Sequence, residues 1–270
     1  MTYALPPAGL PPQDTDLDQR AVFTTAYAFL PADTMRDIVT SHLPHWQGMR
    51  MWQIARPLSG FAETFSHAVV QLAGAGGSDR PETDRAAEAV IFVVSGTARL
   101  TVAGEDHPLV PGSYAYLPAG TDWAIRQTGE DPAWFHWIRK AYVPVEGIGA
   151  PQGFVMHEDD ADVIEMPDTG GRWSTTRFVS PEDMAHDMHV NIVNFRPGGV
   201  IPFMETHVME HGLYVLEGTA DYRLNQDWVA VGPGDYMWLR AFCPQACRAT
   251  GDGPFRYLLY KDVNRLPRFL

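Results

Sequence analysis

An acidic residue and two histidines lie close together in the run GVIPFMETHVMEHGLYVLEG, residues 199–218. Glu205 and His207 are two positions apart, so their side chains share one side of an extended segment, and His211 keeps that parity beyond a short bend. A lone histidine is usually a structural or surface residue, but a carboxylate and two imidazoles on one side form a set of metal ligands. The spacing therefore predicts a metal site built on a β-strand.

A lysine near the end of the sequence is the next residue that could do chemistry. Lys261 lies in FRYLLYKDV, a run rich in aromatic and aliphatic residues, and it has the parity of Tyr257. Such a lysine points either into a pocket or out to solvent, and both orientations stay open at this point. If Lys261 points inward, it would pair with a substrate carboxylate, and Tyr257 or Tyr222 would donate a hydrogen bond beside it.

The remaining histidines show no comparable spacing. We interpret most of them as structural or surface residues, while the two that flank residues 187 and 188 are ambiguous. The structural or surface group is His42, His45, His67, His107, His136 and His157, and the ambiguous two are His186 and His189.

Short β-strands are the elements that must position these residues. Segments such as AVIFVV, YAYLP, WFHWI, VNIVNF and FRYLLY alternate with clusters of Gly, Pro, Asn and Asp. Strands at intervals of about ten residues with such turn signals are typical of an all-β barrel or sandwich. One helix is predicted over residues 33–43, with Asp33 or Thr34 as its N-cap.

The sequence repeats itself once. GTARLTV begins at Gly96 and GTADYRL at Gly218, and PGSYAYLPAG begins at Pro111 and PGDYMWLRAF at Pro233, so both pairs are 122 residues apart. Two matches at one offset indicate a duplicated unit. We predict a Pro-rich N-terminal arm over residues 1–20, a first barrel over 21–145 and a second over 146–270, with the boundary in the Pro- and Gly-rich run AYVPVEGIGAPQG.

Composition limits the classes of partner. Of the 270 residues, 33 are acidic and 20 are Lys or Arg, which gives a formal net charge of −13. Nucleic acid and anionic membranes need a basic surface, so we expect neither as a partner. The sequence has no apolar run of the ~20 residues that a membrane helix needs, and its N-terminus is not a signal peptide, so we expect a cytoplasmic protein.

The cysteines support a reducing compartment. Cys243 and Cys247 are the only two in the sequence. On one strand their Cα atoms would lie ~13 Å apart, which is too far for a disulfide. We therefore predict two free, buried thiols.

Two tandem β-barrels with a Pro-Gly-Asp turn and a His-rich strand resemble the cupin superfamily, and specifically a bicupin. The usual first motif is GxxxxxHxHxxxxExxxxxxG, and here Glu205 stands in place of the first His and His211 in place of the Glu. The usual second motif, PxGxxHxxxN, supplies the last His, and the matching position along PGDYMWLRAFCPQ is Gln245. The resemblance implies two jelly-roll barrels with few short helices, and Gln245 as a fourth ligand.

One carboxylate, two imidazoles and one carboxamide favour a particular group of metals. The set lacks thiolates, so Mn²⁺ or Fe²⁺ fits best, with Ni²⁺, Co²⁺ and Zn²⁺ as alternative occupants. Four protein ligands leave two octahedral positions for water or a bidentate substrate. Because only Glu205 is anionic, such a site keeps about one positive charge and favours a carboxylate substrate.

The first barrel lacks this set. The positions 122 residues before the four ligands hold Thr83, Arg85, Ala89 and Trp123, which cannot replace them. We therefore predict no metal in the first barrel and a role as scaffold or interface, while a small-molecule pocket without metal stays open.

The chain resembles one bicupin family, the (S)-ureidoglycine aminohydrolases of purine degradation. ETHVMEHGLYVLEG, PGDYMWL and YKDVNR look like that family's C-terminal motifs, and RKAYVPVEG looks like its inter-barrel segment. The resemblance implies that Glu205, His207, His211 and Gln245 hold Mn²⁺ and that Glu205, Gln245, Tyr257 and Lys261 contact the substrate. It also implies hydrolytic release of ammonia from (S)-ureidoglycine, a small anionic ureido-amino acid of allantoin degradation. We hypothesise that Glu205 moves a proton during attack at the amine-bearing carbon and that Lys261 holds the carboxylate, which makes these two the catalytic residues.

Two other functions stay open, and one departure from the family is visible. A bicupin dioxygenase would use a redox-active metal and O₂, usually with three His and one Glu as ligands, and a non-catalytic cupin would bind a carboxylate without turnover. The family tends to have Asp-Met-Asn-x-His before its metal strand, whereas residues 187–191 read DMHVN. The exchange at His189 and Asn191 bears on the substrate range. Because cupins commonly assemble, we expect a homo-oligomer.

Overall fold

The structure is a computed structural model that describes residues 2–15, 21–41, 43–263 and 265–266, and it is almost entirely β-structure. Apolar runs such as AVIFVV and VNIVNF form strands because β-branched and aromatic side chains pack well on a pleated surface. Helix in these residues is limited to the 3₁₀ turns Ala32–Thr34, Pro57–Ser59 and Glu158–Asp160. The predicted all-β class with few short helices is confirmed. None of the described helices is long and apolar enough to cross a membrane.

The strands of the described residues are, in chain order, β1 Thr2–Tyr3, β2 Val22–Phe23, β3 Tyr27–Leu30, β4 Val39–Thr40, β5 Trp46–Ala55, β6 Phe65–Ser78, β7 Ala87–Ser95, β8 Ala98–Val102, β9 Glu105–Leu109, β10 Ser113–Leu117, β11 Trp123–Gln127, β12 Ala133–Ala141, β13 Phe154–His157, β14 Asp162–Glu165, β15 Trp173–Arg177, β16 Met188–Phe195, β17 His211–Glu217, β18 Ala220–Leu224, β19 Asp227–Val231, β20 Tyr236–Leu239, β21 Gln245–Ala249 and β22 Phe255–Asp262.

The chain divides into two compact units. The first unit comprises Met1–Leu10, Met35–Pro57 and Thr64–Ala161, and the second comprises Pro11–Thr34, Leu58–Glu63 and Asp162–Leu270. This division differs from the contiguous ranges predicted from the sequence, because two early segments fold with the second unit and residues 146–161 fold with the first. Pairing between strands distant in sequence decides which unit a segment joins, and local sequence patterns do not specify that pairing. Residues 1 and 16–20 of the predicted N-terminal arm lie outside the described residues.

The described part of the first unit is built on one large antiparallel sheet with the strand order β13-β10-β7-β12-β6-β11-β8-β9, and β5 pairs with β6. Alternate residues of these strands meet in an apolar core that includes Val70, Ile91, Phe135 and Trp137. A separate short pair joins β1 to β4.

The second unit packs two sheets against one core. Within the described residues, the larger sheet has the order β14-β15-β16-β22-β17-β20-β3-β2 and the smaller has the order β19-β18-β21. Val193, Leu213 and Tyr257 from the larger sheet meet Tyr222 and Cys247 from the smaller one in this core. Side chains with the parity of Val193 on β16, Leu213 on β17 and Tyr257 on β22 therefore face the interior of the second unit.

The duplication seen in the sequence recurs in the backbone. Gly96 and Gly218 both have φ in the left-handed region, at 68° and 74°. A Cβ at Gly96 would collide with the carbonyl oxygen of Pro132, and one at Gly218 would collide with that of Pro254, another pair 122 residues apart. The same tight approach after β7 and after β17 explains why both copies retain glycine here.

Two local predictions have clear outcomes. The helix predicted over residues 33–43 is wrong: the structure has the 3₁₀ turn Ala32–Thr34 and then β4, while residue 42 lies outside the described part. β4 pairs with β1, so tertiary pairing overrides the local capping signal at Asp33. The prediction for the cysteines is confirmed, because Cys243 and Cys247 are both free and buried.

Candidate active site

The predicted ligands do not share one strand, which corrects the sequence-based expectation. Glu205 forms an isolated antiparallel bridge with Gln245, in which each backbone N–H donates to the other residue's carbonyl oxygen, at 3.1 and 2.9 Å. His207 follows this bridge without regular structure, Val208 and Met209 form a bend, and the strand begins only at His211. Glu205 thus pairs with β21 of the smaller sheet, whereas His211 belongs to β17 of the larger sheet.

The bend nevertheless brings the three side chains together. His207 Nε2 lies 3.4 Å from Glu205 Oε2, and the rings of His207 and His211 are 5.0 Å apart at an angle of 47°. His211 is only 4% exposed, whereas the side chains of Glu205 and His207 are partly open to solvent. The carboxylate and the two imidazoles therefore form a contiguous row that leads from the surface into the interior.

Gln245 is held in the interior by a tyrosine. The hydroxyl of Tyr222 donates to Gln245 Oε1 at 2.8 Å, and the hydroxyl oxygens of Tyr222 and Tyr257 are 3.5 Å apart. All three residues are buried. A carboxamide oxygen has two lone pairs, so the bond from Tyr222 orients Gln245 and leaves it one further acceptor position.

Lys261 lies in a cross-strand row with two histidines. β22 pairs with both β16 and β17, and the register places Lys261 opposite His189 on one side and His211 on the other. Residues directly opposite in an antiparallel pair have side chains on the same face. Lys261 shares the parity of Tyr257 in the core, so its side chain starts toward the interior, the first of the two orientations left open by the sequence.

Burial controls the charge states in this region. It lowers the pKa of His211 to about 3, with help from His207 and Lys261, so the ring is neutral at pH 7 and retains a lone pair. Burial also lowers the pKa of Lys261, and the charge of Arg177 lowers it further, while Glu205 and Asp262 act in the opposite direction. Burial raises the pKa values of Tyr222 and Tyr257 well above 10, so both remain hydroxyl donors.

The donor types fit a divalent metal ion of the hard-to-borderline class. Glu205, His207 and His211 are neighbours in pairs, His211 is neutral, and Gln245 has an acceptor position left. Among the described residues, however, no three His, Cys, Asp or Glu side chains converge closely enough to hold one ion together. The donors are thus adjacent without being closed into a coordination sphere.

Two residues near the site were not singled out in the sequence. Glu210 precedes His211, and its carboxylate accepts hydrogen bonds from Trp238 Nε1 at 2.7 Å and from the backbone N–H of Glu63 at 2.9 Å. Those bonds fix the backbone where β17 begins. Arg177, the last residue of β15, acts electrostatically on Lys261. The sequence signal for Arg177 is that it lies an even number of residues from Trp173 and so faces the same side of a strand. This signal points to the site only once β15 is known to pair with β16.

Two of the four equivalent positions in the first unit are filled by buried apolar or aromatic side chains. Ala89 and Trp123 stand where the second unit has His211 and Gln245, and both are buried in the core. The Trp123 ring packs edge-on against Trp137, with ring centroids 6.0 Å apart. Indole rings thus occupy the part of the first unit's core that corresponds to the candidate site in the second unit.

Comparison with known proteins now adds the family. The cupin domain profile matches residues 68–139 and 191–260, one stretch in each unit. An Arabidopsis thaliana protein named (S)-ureidoglycine aminohydrolase is 32% identical over 259 residues, which cover 94% of this chain and 82% of that protein. The chain belongs to the (S)-ureidoglycine aminohydrolase family. This is a family of hydrolases built on two cupin domains, so the predicted family and the bicupin architecture are confirmed.

Further relatives agree with this assignment. The (S)-ureidoglycine aminohydrolase of Escherichia coli K12 is 28% identical over 236 residues, which cover 84% of this chain and 86% of that protein. A crystal structure of a Pseudomonas aeruginosa protein with the name glyoxylate-induced protein is 63% identical, with a TM-score of 0.91, and the match covers 100% of this chain and 99% of the other. The match to the Pseudomonas aeruginosa structure therefore covers both units.

Proposed function

We propose that the protein is a Mn²⁺-dependent hydrolase that releases ammonia from (S)-ureidoglycine and forms (S)-ureidoglycolate. The observation that carries this proposal is the meeting of a carboxylate–imidazole row with an inward lysine in the interior of the second unit. The names of the family relatives support the choice of substrate. A carboxylate substrate suits a pocket in which the charge of Lys261 acts on His211, one of the proposed ligands.

The proposed metal ligands are Glu205, His207, His211 and Gln245. When bound, Mn²⁺ would act as a Lewis acid that orients the substrate and stabilises negative charge in the transition state. The neutral ring of His211 and the oriented carboxamide of Gln245 have the lone pairs that ligation requires.

The proposed substrate contacts surround these ligands. The ammonium group of Lys261 binds the substrate carboxylate through a charge-assisted hydrogen bond and fixes which face of the reacting carbon is attacked. Tyr257 and Tyr222 stay protonated and contribute hydroxyl groups from the buried side. Gln245 and Glu205 contact the substrate from the smaller sheet and the bridge beside it.

The proposed chemical step is a substitution at the amine-bearing carbon. As the water oxygen bonds to this carbon, the Glu205 carboxylate accepts a proton from the water. The C–N bond breaks in the same step, and the departing amine takes the proton from Glu205 and leaves as ammonia. Water is consumed and (S)-ureidoglycolate and ammonia are formed, so no oxidant or reductant is needed.

The test is ammonia release from freshly generated ureidoglycine by metal-stripped and Mn²⁺-reconstituted protein, with the chirality of the product recorded. We expect release that depends on the metal and yields the (S)-product. No metal-dependent release would refute the proposal. Oxygen uptake with a carboxylate substrate would favour a dioxygenase, and tight binding of ureidoglycine without release of ammonia would favour a binding protein.

The same proposal places the reaction in allantoin degradation, a branch of purine catabolism, in the cytoplasm. We also propose that the protein is a homo-oligomer, with the first unit as scaffold or interface. The molar mass in solution, measured by light scattering, tests the assembly. A monomer at micromolar concentration would contradict it.

A further inference from the structure

A basic residue completes the interior wall next to Lys261. Arg177 ends β15 and has the parity of Trp173 and Thr175, which are both buried. Trp173 stacks on Phe195 in the core of the second unit, with centroids 6.1 Å apart and planes at 7°. Because side chains alternate along a strand, the side chain of Arg177 leaves its strand on this interior face.

Strand register places Arg177 beside Asn191. Thr175 lies opposite Val193 and Thr176 opposite Ile192, so one further step along the antiparallel pair brings Arg177 next to Asn191. On the other side of β16, His189 lies opposite Lys261. The β15–β16 wall therefore brings a guanidinium, a carboxamide and an imidazole to the same region as Lys261.

Two polar atoms of this wall are buried without a hydrogen bond. His189 is 6% exposed and Asn191 is 5% exposed, and both have the parity of Val193 in the core. Among the described residues, neither His189 Nε2 nor Asn191 Oδ1 has a hydrogen-bond partner. Buried polar atoms are nearly always hydrogen-bonded, because leaving one unpaired is costly, so these two atoms indicate a polar ligand.

The two cations of the wall lack a carboxylate bonded to them. Within the described part of the chain, neither Arg177 nor Lys261 forms an ion pair. The charge of Arg177 acts on Lys261 and on His189, which shows that the three side chains share one electrostatic environment. Two like charges held near each other in a partly buried wall favour the binding of an anion.

We propose that Arg177, His189 and Asn191 form a second substrate-binding wall, in which Arg177 joins Lys261 in binding the substrate carboxylate while Asn191 and His189 bind the ureido group. Asn191 Oδ1 accepts a hydrogen bond from a ureido N–H, and the neutral ring of His189 donates from Nε2 to the ureido oxygen. The guanidinium fork of Arg177 matches a carboxylate in a way that an ammonium does not. This inference rests on the proposed function, and it names the class of ligand as short N-carbamoyl amino acids.

The first test measures carboxylate recognition without turnover. The test compares two compounds. N-carbamoylglycine has the ureido and carboxylate groups of the proposed substrate but no amine to lose, and N-carbamoylglycinamide has an uncharged amide in place of the carboxylate. By calorimetry in Mn²⁺-containing buffer, we expect the wild-type protein to prefer the acid and Arg177→Gln to reduce that preference at least about 10-fold. Arg177→Lys retains the charge without the fork and should give an intermediate ratio.

The matched control is Arg196→Gln. Arg196 is exposed directly after β16, so its replacement changes the net charge by the same amount away from the wall. We expect this variant to prefer the acid as strongly as the wild-type protein does. If Arg177→Gln also keeps the full preference while its circular dichroism and melting temperature match the wild type, the role of Arg177 is refuted.

The second test addresses the ureido contact. N-acetylglycine replaces the terminal amino group of N-carbamoylglycine by a methyl group and so removes the N–H donors that Asn191 Oδ1 would meet. The wild-type protein should bind N-carbamoylglycine more tightly than N-acetylglycine. We expect Asn191→Leu to reduce this ratio of affinities several-fold. An unchanged ratio in a folded Asn191→Leu protein would refute this contact.

The outcomes separate this inference from the proposed reaction. If the wild-type protein releases ammonia from ureidoglycine but Arg177→Gln has an unchanged KM and an unchanged acid preference, the reaction stands and the second wall is wrong. If no ammonia is released but the preference for N-carbamoylglycine depends on Arg177 and Asn191, the wall stands and the reaction is wrong.

Discussion

At the scale of single residues, the site depends on polar groups that hold one another in place. Gln245 is oriented by the hydroxyl of Tyr222, which in turn lies next to Tyr257. A pre-oriented side chain loses less conformational freedom when it binds a metal ion. Replacing a residue that hydrogen-bonds to a metal ligand commonly lowers metal affinity by about 10-fold or more. We therefore expect the hydroxyl of Tyr222 to contribute to metal affinity as well as to the packing of the core.

Tyr222→Phe tests this directly. The change removes the donor to Gln245 Oε1 without altering the volume of the core, so we expect Mn²⁺ affinity to fall roughly 10-fold. Tyr257→Phe is the matched control, because it leaves the bond from Tyr222 to Gln245 intact and should keep the affinity. Metal binding is measured by calorimetry and metal content by mass spectrometry. Equal affinities for the two variants would contradict the positioning role of Tyr222.

A buried pair of histidines in the first unit makes stability depend on pH. His67 Nε2 and His136 Nδ1 are 2.9 Å apart. Burial lowers the pKa of His136 to about 3, and burial together with His136 lowers the pKa of His67 well below 6.5. As the pH falls below about 6.5 the unfolded chain takes up protons first, so each histidine reduces the free energy of unfolding by up to about 1.4 kcal/mol per pH unit.

We therefore expect the urea midpoint to fall between pH 6.5 and pH 4.5, and to fall less steeply in the double variant His67→Leu/His136→Leu. His107→Leu serves as the control, because His107 is a partly exposed histidine of β9. Its slope with pH should follow the wild type. A double variant with the wild-type slope would show that other groups cause the acid sensitivity.

At the scale of elements, the tight turns after β7 and β17 limit what the sequence can contain. Gly218 has a left-handed φ, and a Cβ would collide with the carbonyl oxygen of Pro254 just before β22. β22 contains both Tyr257 and Lys261. The position of this glycine thus helps to set the register of the strand that supplies two proposed substrate contacts.

Gly218→Ala should lower the free energy of unfolding by at least about 2 kcal/mol, because it adds backbone strain and a steric clash at one position. Gly253→Ala is the control, since the space around Gly253 is open and its φ is not in the left-handed region. Chemical denaturation monitored by tryptophan fluorescence measures the difference. Similar losses for the two variants would mean that the close approach to Pro254 is easily relieved.

At the scale of the whole molecule, the second unit depends on segments from early in the chain. β3 pairs with β20, and Tyr27 and Phe29 of β3 belong to the core of the second unit. The backbone N–H of Glu63 donates to Glu210 next to His211. A fragment cut at the boundary predicted from the sequence would therefore lack a strand, part of its core and a contact that supports the site.

A fragment of residues 146–270 should aggregate or melt without cooperativity, because the edge of β20 would be unpaired and its core incomplete. Joining residues 21–34 to the fragment through a flexible linker should restore solubility and a cooperative transition. Size-exclusion chromatography and calorimetry compare the two proteins. A shorter fragment that is monomeric and melts cooperatively would show that β3 is dispensable.

Much of the candidate site could be proposed from the sequence because its residues are marked by type and spacing. The 122-residue repeat exposed the duplication, and the absence of ligands at Ala89 and Trp123 distinguished the two copies. Parity on β22 linked Lys261 to Tyr257, and β22 is a regular strand in the structure. Parity failed between Glu205 and His211, because the backbone bends there instead of continuing as a strand.

The amino-acid sequence by itself determined the all-β class, the duplication, the family and the residue types of the site, because short-range periodicity and motif spacing record these features. Only the tertiary structure decided that β3 joins the second unit, that Glu205 bridges to Gln245, and that the charge of Arg177 acts on Lys261. These features depend on hydrogen-bond ladders between strands far apart in sequence. A strand's own residues specify which side it buries, whereas its partner is selected by the packing of the whole unit.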